Sequence, residues 1–398
     1  MATFSVRFLG CKVSYADAQA VRERLVADGH AEAEGRGDVA VVNTCCVTNE
    51  AVVKSRKEAA RAARTHARVY VTGCGASLGG DAFAGLPENI VVVPRRSEAA
   101  AAFVAGDVGA IGCVQADARL DRVRAFVKIQ DGCSFSCAFC VIPLVRGGTR
   151  SRRAAAVLAE IGRRAAQGHR EIVLTGVNLG CFRDRAGGYG LPRLIREVGA
   201  IEGVERLRLS SIEVNHLSDE LIAALRETPA ACRHLHVPLQ SGDDRVLAAM
   251  GRRYTAAAYL RKLQRLHDFN LTADAIVGFP AEDDAAFERT LAVVEAARLT
   301  KVHVFPYSPR PGTVTADDDP VEPQVKKERS ARLRALAHEL ERRRWHTKLG
   351  LEDVVLVDRP GCGYGDDYSP FLVDAPVGEL VRVRASAIRE EGILAIAA

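Results

Sequence analysis

Three closely spaced cysteines offer chemistry before anything else in the chain does: Cys133, Cys137 and Cys140 in the stretch DGCSFSCAFC. Their C-x3-C-x2-C spacing brings three thiolates into one small volume, and the short loop leaves no fourth protein ligand beside them. A cubane iron–sulfur cluster usually takes four cysteines, so with three supplied one iron keeps an open position for a small molecule. Two plainer readings compete. Cysteines at i, i+4 and i+7 would line the apolar face of a buried helix, and a structural zinc site would recruit a distant fourth ligand. Gly132 before the first cysteine, with Ser134 and Ser136 interleaved, speaks against the helix, and the absent fourth ligand speaks against zinc.

A second set of thiols emerges from the elements that must carry them. The run FSVRFL ends at Gly10-Cys11, the run VAVVNTCC spans Val39 to Cys46, and RVYVTGCGA from Arg68 places Cys74 after Gly73. Each reads as a strand. Helical patterns over about Ser14 to Asp28 and Asn49 to Arg64 lie between them. Strands alternating with helices form an open parallel sheet, and its carboxyl edge is where ligands bind. One cysteine at a strand end is an ordinary buried residue. Three in register suggest a second three-thiolate cluster, again with an open iron.

From Arg124 the chain repeats strand-then-helix units: AFVKIQ, EIVLTG, RLRLSS, HLHVPL, LTADAIVGF and KVHVFPY, with helices at Ala154 to Gly168, Leu191 to Glu202, after Asp243 and Ala285 to Arg298. That number of units predicts an incomplete (β/α) barrel with its site at the strand carboxyl ends. Polar residues just past the strands are Thr175, Gly176 and Asn178, then Ser210, Ser211 and Glu213, then Gln240 and Ser241. Any one alone would be a cap or turn residue; their shared rim makes a binding site. A basic helix from Glu322 to Leu349 follows, and the last residues read as short strands of a small β-barrel. The predicted domains are 1–118, 119–349 and 350–398, with a linker near Gln115–Asp121 after the strand IVVVP and an Ala-rich helix. The fold class is α/β with a small β-barrel appended.

The chain has 398 residues, 48% of them hydrophobic, which excludes disorder as its default state. Eleven cysteines, no charged-then-apolar leader and no long apolar run predict a cytoplasmic protein whose clustered thiols serve metal or catalysis, with no membrane partner. The net charge of +5 is unevenly spread: residues 321–350 carry an excess of +5 and 351–398 an excess of −5. A basic surface is compatible with RNA, although a solvated helix face is the commoner reason for one.

The chain resembles the radical S-adenosylmethionine (SAM) methylthiotransferases, on the stretches FLGCKVSYAD, VVNTCCVT, VTGCGA, IQDGCSFSCAFCVIPLVRGGTRSR, EIVLTGVNLG, RLRLSSIE, HLHVPLQSG, MGRRYT, AIVGFP and HVFPYSPRPGT. The resemblance implies two 4Fe–4S clusters. Cys133, Cys137 and Cys140, with Phe139 before the last, would hold the one that binds and cleaves SAM. Cys11, Cys45 and Cys74 would hold the auxiliary one. The family motif has Thr where this chain has Cys46, which leaves Cys45 and Cys46 both as candidates, and alignment on Asn43-Thr44 favours Cys45. The rim residues Thr175, Gly176, Asn178, Ser211, Glu213 and Gln240 would hold SAM, of which two are spent per turnover. Cys181, beside one of these motifs, is read as a passive residue.

Within the family, Leu-Gly-Cys-Lys-Val resembles the branch that acts on N6-threonylcarbamoyladenosine of tRNA, converting carbon 2 from C–H to C–SCH3, although Ser14 replaces its usual Asn. The implied partners are tRNA, a reductant such as flavodoxin or ferredoxin, and a sulfur donor. RNA contact is expected from Arg146, Arg150, Arg152 and Arg153, from the basic helix, and from the terminal domain, where Tyr364 and Tyr368 would stack on bases. Rival readings keep the chemistry on isopentenyl-adenosine or a ribosomal protein aspartate, or make the chain a non-catalytic RNA-binding iron–sulfur protein.

Overall fold

A computed structural model describes residues 2–79, 82–94 and 123–397. The expected linker near Gln115–Asp121, the Ala-rich helix ahead of it and the first domain boundary lie outside those residues. The chain divides into two compact units: Met1–Leu120 with Asp131–Arg150 and Ser308–Asp317, and Asp121–Gln130 with Ser151–Tyr307 and Asp318–Ala398.

The first unit is built on a five-stranded parallel sheet, in the order Ala31–Glu32, Thr3–Phe8, Gly37–Thr44, His66–Thr72 and Ile90–Val92. Helix Lys12–Ala27 puts Leu25 against Phe4 and Val41, while helix Asn49–Ala63 puts Ala59 and Ala62 with Ala40, Val42, Val69 and Val71. Both sheet faces are covered, and that is why VAVV is continuously apolar rather than alternating. The Asn49 helix starts where the Thr48 hydroxyl accepts from Ala51 N at 3.1 Å, a side-chain cap that satisfies an otherwise orphan donor.

In the second unit six parallel strands run Arg124–Lys128, Glu171–Thr175, Arg206–Leu209, His234–His236, Asn270–Val277 and Lys301–Pro306. They pair as two three-stranded sheets, bridged by Ser211 and His236. Period-2 alternation sorts their side chains. Ala125, Val127, Ile172, Leu174, Leu207, Leu209, Leu235, Ala273, Val302 and Val304 join one large core with the helices. The residues between them, including Arg124, Glu171, Thr175, Arg208, His236, Asp274 and His303, fall on the opposite, concave face. This inner face is polar, unlike the packed interior of a full barrel.

Helix Pro323–His346 leads into a closed five-stranded barrel of strands Glu352–Arg359, Cys362–Tyr364, Pro370–Leu372, Leu380–Ile388 and Ile393–Ala397. The short strand Cys362–Tyr364 was not expected from sequence; only three residues long and two of them Gly and Cys, it has no alternating pattern to betray it. The barrel's core gathers Trp345, Val355, Val357, Phe371, Val383 and Ile393.

Candidate active site: two sets of thiols and a barrel rim

Strand register explains the first set. Phe8 pairs with Asn43, Asn43 with Thr72, and Thr44 bridges to Gly73, so the three strands end in line and the chain then delivers Cys11, Cys45 and Cys74 to one edge. The Asn-Thr step holds that edge together. Asn43 Nδ2 donates to Ser14 O at 3.0 Å, Thr44 Oγ1 donates to Thr72 O at 2.6 Å, and Ala76 N donates to Thr44 Oγ1 at 3.1 Å. Gly73, with φ +92°, leaves no room for a side chain: a Cβ there would lie 2.1 Å from Asn43 Oδ1.

The adjacent thiols part ways. Cys45 packs beside Gly10, where a Cβ would stand 3.3 Å from its Sγ, at the turn leading into Cys11. Burial pushes the Cys45 thiol up, with Cys74 and Cys11 adding to it. Cys46 is fully buried with Cys74, Val141 and Val145. A hydrogen bond to Cys74, and then burial, keep its thiol protonated. Cys11 is exposed at the start of helix Lys12–Ala27, its Sγ 3.9 Å from Ser14 Oγ.

The second set occupies a loop of the same unit. Gly132 turns it with φ +70°, and a Cβ there would meet Gly148 O at 2.1 Å. Cys133 N donates to Gly147 O at 3.0 Å, Ser134 and Thr149 exchange hydrogen bonds at 3.1 and 3.0 Å, and Cys140 N donates to Cys137 O at 3.1 Å. Thr315 N and Oγ1 both donate to Ala138 O, at 3.3 and 3.2 Å. All three thiols, and Phe139 beside them, are half-buried, and none of the three is in a disulfide. Among the described residues, neither set draws three ligand atoms within 4.8 Å of one another. That spread does not suit one zinc ion, whereas thiolates of a cubane each bind a different iron.

The rim residues sit as follows. Thr175 and Asn178 are buried, and their Oγ1 and Oδ1 have no hydrogen-bond partner among the described residues. Buried polar atoms cost about 1–3 kcal/mol when left unmatched, so these two are available to a polar ligand or a water. Gly176 approaches Gln130 so closely that a Cβ would lie 2.9 Å from its Oε1, which in turn accepts from Asn178 N at 2.8 Å. Gln240 holds the left-handed φ of 67° while pairing with Ala275, a strained backbone of the kind that collects at functional sites. Glu213 is committed: it accepts from Asn215 N at 2.9 Å and lies 3.7 Å from Arg252. Ser211 bridges to His236. Cys181 lies 3.5 Å from His216 Nε2.

Residues 127–294 match the Radical SAM superfamily, and residues 3–93 match the Uncharacterized protein family UPF0004. Over 99% of its length the chain is 33% identical to a threonylcarbamoyladenosine tRNA methylthiotransferase of Thermotoga maritima, spanning 96% of that protein. The chain belongs to the radical-SAM methylthiotransferases. It is equally, 33%, identical to a tRNA-2-methylthio-N(6)-dimethylallyladenosine synthase of Paracoccus denitrificans, over 95% of this chain and 93% of that one. The radical SAM methyltransferase TsrM of Kitasatospora setae, solved with cobalamin and a [4Fe-4S] cluster, superposes with a TM-score of 0.55 at 16% identity, over 79% of this chain and 77% of that one. The radical-SAM fold implies SAM and a 4Fe–4S cluster; the three thiols of the loop suit the cluster, and the rim atoms by themselves suit a polar ligand.

Two expectations for this methylthiotransferase need correction. Arg146 does not face RNA: its side chain is 1% exposed, and its guanidinium donates to Cys74 Sγ at 2.9 Å, Asp131 at 2.9 Å and Asp17 at 3.1 Å. A side chain this deeply buried, with each of its nitrogens already donating inside the unit, is not presented to phosphate. Of the others, Arg152 donates to Lys128 O and pairs with Glu160 at 2.7 Å, Arg150 is exposed with its guanidinium on the carbonyls of Gly148 and Arg146, and Arg153 is exposed 3.9 Å from Asp184.

Tyr364 and Tyr368 do not form an open base-stacking platform either. Their rings stack on each other at 4.8 Å; Tyr368 stacks on His234 at 4.9 Å, and Arg124 and Arg208 cover them from 4.7 to 5.3 Å. Arg124 and His234 begin their strands, so the tyrosines close the amino end. Burial alone would raise the carboxyl of Glu171 beneath them, but Arg208, Arg124 and Arg206 outweigh it and lower it. Sequence reasoning also passed over His236, Asp274 and His303, whose ligand atoms lie within 4.8 Å of one another on the concave face. Polar residues at alternate positions of HLH, TAD and KVH were the signal.

Proposed function

We propose that this enzyme transfers a methylthio group to carbon 2 of N6-threonylcarbamoyladenosine in tRNA, 3′ of the anticodon. The observation that carries the reading is the presence in one compact unit of two separate three-thiol sets, the Cys133–Cys140 loop and the Cys11, Cys45 and Cys74 edge. One set suits SAM cleavage and the other a sulfur awaiting transfer, a division of labour that a single-cluster radical enzyme lacks. The first relatives support tRNA as substrate by name. Equal identity to both adenosine branches leaves the choice to Lys12-Val13, which resembles the threonylcarbamoyl branch.

In this reading Cys133, Cys137 and Cys140 hold the SAM cluster, and Cys11, Cys45 and Cys74 hold the auxiliary one. Cys46, packed among apolar side chains with Val141 and Val145, supports Cys74 and is no ligand. Bound there, cluster and SAM supply a carbon radical able to take hydrogen from a C–H bond that polar chemistry leaves alone. The residues of the chain do the rest. Thr175, Gly176, Asn178, Ser211 and Gln240 orient SAM along the rim, with Glu213 holding the rim's shape through Asn215 and Arg252. The tyrosine stack at the amino end closes the barrel on that side. Exposed Arg150 and Arg153 offer cations to the tRNA backbone. A reductant and a sulfur donor complete the cycle, and Cys181 beside His216 has no assigned part.

The test offers anaerobically reconstituted enzyme three tRNAs, bearing threonylcarbamoyladenosine, isopentenyladenosine or plain adenosine, and follows methylthio nucleosides by mass spectrometry. Product on the first alone is expected, because a site that pairs with a polar substituent rejects an analogue without it. Product on the isopentenyl tRNA alone would move the enzyme to the other branch.

A further inference from the structure

Cys74 accepts a hydrogen bond from an unexpected donor. Arg146 Nε points at its Sγ from 2.9 Å, while Nη1 donates to Asp131 at 2.9 Å and Nη2 to Asp17 at 3.1 Å. The three partners come from different places. Cys74 follows the His66–Thr72 strand, Asp17 lies on the helix that Cys11 begins, and Asp131 stands two residues before Cys133 and also accepts from Gly132 N at 2.8 Å. Arg146 itself ends the short helix Ile142–Arg146 that follows Cys140. One buried guanidinium therefore joins the loop of one thiol set to a thiol of the other.

Burying an arginine costs several kcal/mol unless its charge and donors are matched. Two carboxylates already over-compensate a single positive charge, so charge balance did not require a sulfur as third partner. What the third bond adds is a charged N–H donor on a thiolate, about twice as strong as a neutral one. Iron–sulfur potentials respond to hydrogen bonds on the sulfurs and to local charge. A reduced cluster carries one more negative charge than an oxidised one, so a fixed donor stabilises the reduced form more. Asp17 and Asp131 more than cancel the long-range field of Arg146, so the effect is left to the directed hydrogen bond.

We propose that Arg146 is a positioning residue of the auxiliary centre: it orients Cys74 Sγ and raises the reduction potential of the cluster that this thiolate binds. The inference rests on the auxiliary cluster of the reading above. Its test uses full-length protein carrying Cys133→Ala, Cys137→Ala and Cys140→Ala, so that only the N-terminal cluster remains. Iron content is measured first, and then the midpoint potential by redox titration followed by electron paramagnetic resonance.

Absence of a cluster with Arg146 intact would sink the two-cluster reading, and this inference with it. With the cluster present, Arg146→Met is expected to lower the potential and to remove an exchangeable-proton coupling from the spectrum of the reduced cluster. Arg146→Lys keeps the charge without the planar fork, and an intermediate potential is expected. If Arg146→Met fails to hold iron, the comparison of Lys with Arg decides the matter. A cluster whose potential and proton coupling are the same with Arg, Lys or Met at this position would overturn the proposal while leaving the auxiliary cluster standing.

Discussion

The two thiol sets are built in opposite ways within one unit. Cys133, Cys137 and Cys140 share a single loop held by its own hydrogen bonds and by a glycine turn at Gly132. Cys11, Cys45 and Cys74 arrive from three strand ends whose register and Asn43-Thr44 bonding set their places. A local loop fixes its thiols by spacing, so it tolerates change elsewhere. A composite edge depends on every strand that feeds it, so a fault in one strand loosens the whole site.

The largest effects separate the sets by chemistry. Replacing Cys133, Cys137 and Cys140 by Ala should abolish both 5′-deoxyadenosine formation and methylthiolation, and should leave roughly half of about eight irons. Cys74→Ala should lose methylthiolation yet still cleave SAM. Chromatography of the nucleoside products with an iron assay reads both; equal loss of SAM cleavage in a folded Cys74→Ala protein would mean the sets do not act separately.

Glycines sharpen the contrast without touching a thiol. Gly132 and Gly73 both hold positive φ, and in both a Cβ would stand 2.1 Å from a fixed oxygen. Each Ala substitution should cost on the order of 1–3 kcal/mol locally. Gly132→Ala should lower SAM cleavage and spare N-terminal iron, whereas Gly73→Ala should do the reverse. The same spectral loss from both would make the two sites one cooperative structure.

A distant control tests whether the sites respond to general destabilisation. Burial raises the carboxyl of Asp367, but Lys348 and Arg344 outweigh it and hold it at about 2. Its folded value lies below its unfolded one, so its stabilisation is full at neutral pH and fades as pH falls from about 4 towards 2. The shift corresponds to about 2 kcal/mol. Asp367→Asn should therefore lower unfolding stability by about that much at pH 7, with the difference from wild type vanishing near pH 2 and iron content unchanged. Denaturant melts across pH would reveal a constant difference if the ion pairs were irrelevant.

The smallest effect concerns RNA. Arg150→Ala should weaken tRNA binding a few-fold, about 1 kcal/mol, and reduce the salt slope by about one, since a single phosphate contact is removed. Both thiol sets should keep their iron. A salt titration of binding that matched wild type would remove this loop from the interface.

Much of this could be read from the chain because it is written in local patterns. The C-x3-C-x2-C spacing, the apolar runs ending at Cys11, Cys45 and Cys74, and the strand-and-helix repeats from Arg124 depend on residues a few positions apart. Periodicity and spacing survive any tertiary arrangement, so the sequence by itself determined the strand-and-helix repeats and the family, though not the short strand Cys362–Tyr364. Tertiary structure alone decided the partners. Arg146 sits in an Arg-rich run that reads as an RNA surface, but Cys74, Asp17 and Asp131 converge on it from distant positions. Tyr364 and Tyr368 read as exposed stacking residues until His234, Arg124 and Arg208 meet them. Cys45 and Cys46 are adjacent and chemically identical, and their different surroundings follow from strand register and packing. A charged or aromatic side chain has the same local signature whether it meets water, RNA or a buried thiolate, and only the folded chain selects among them.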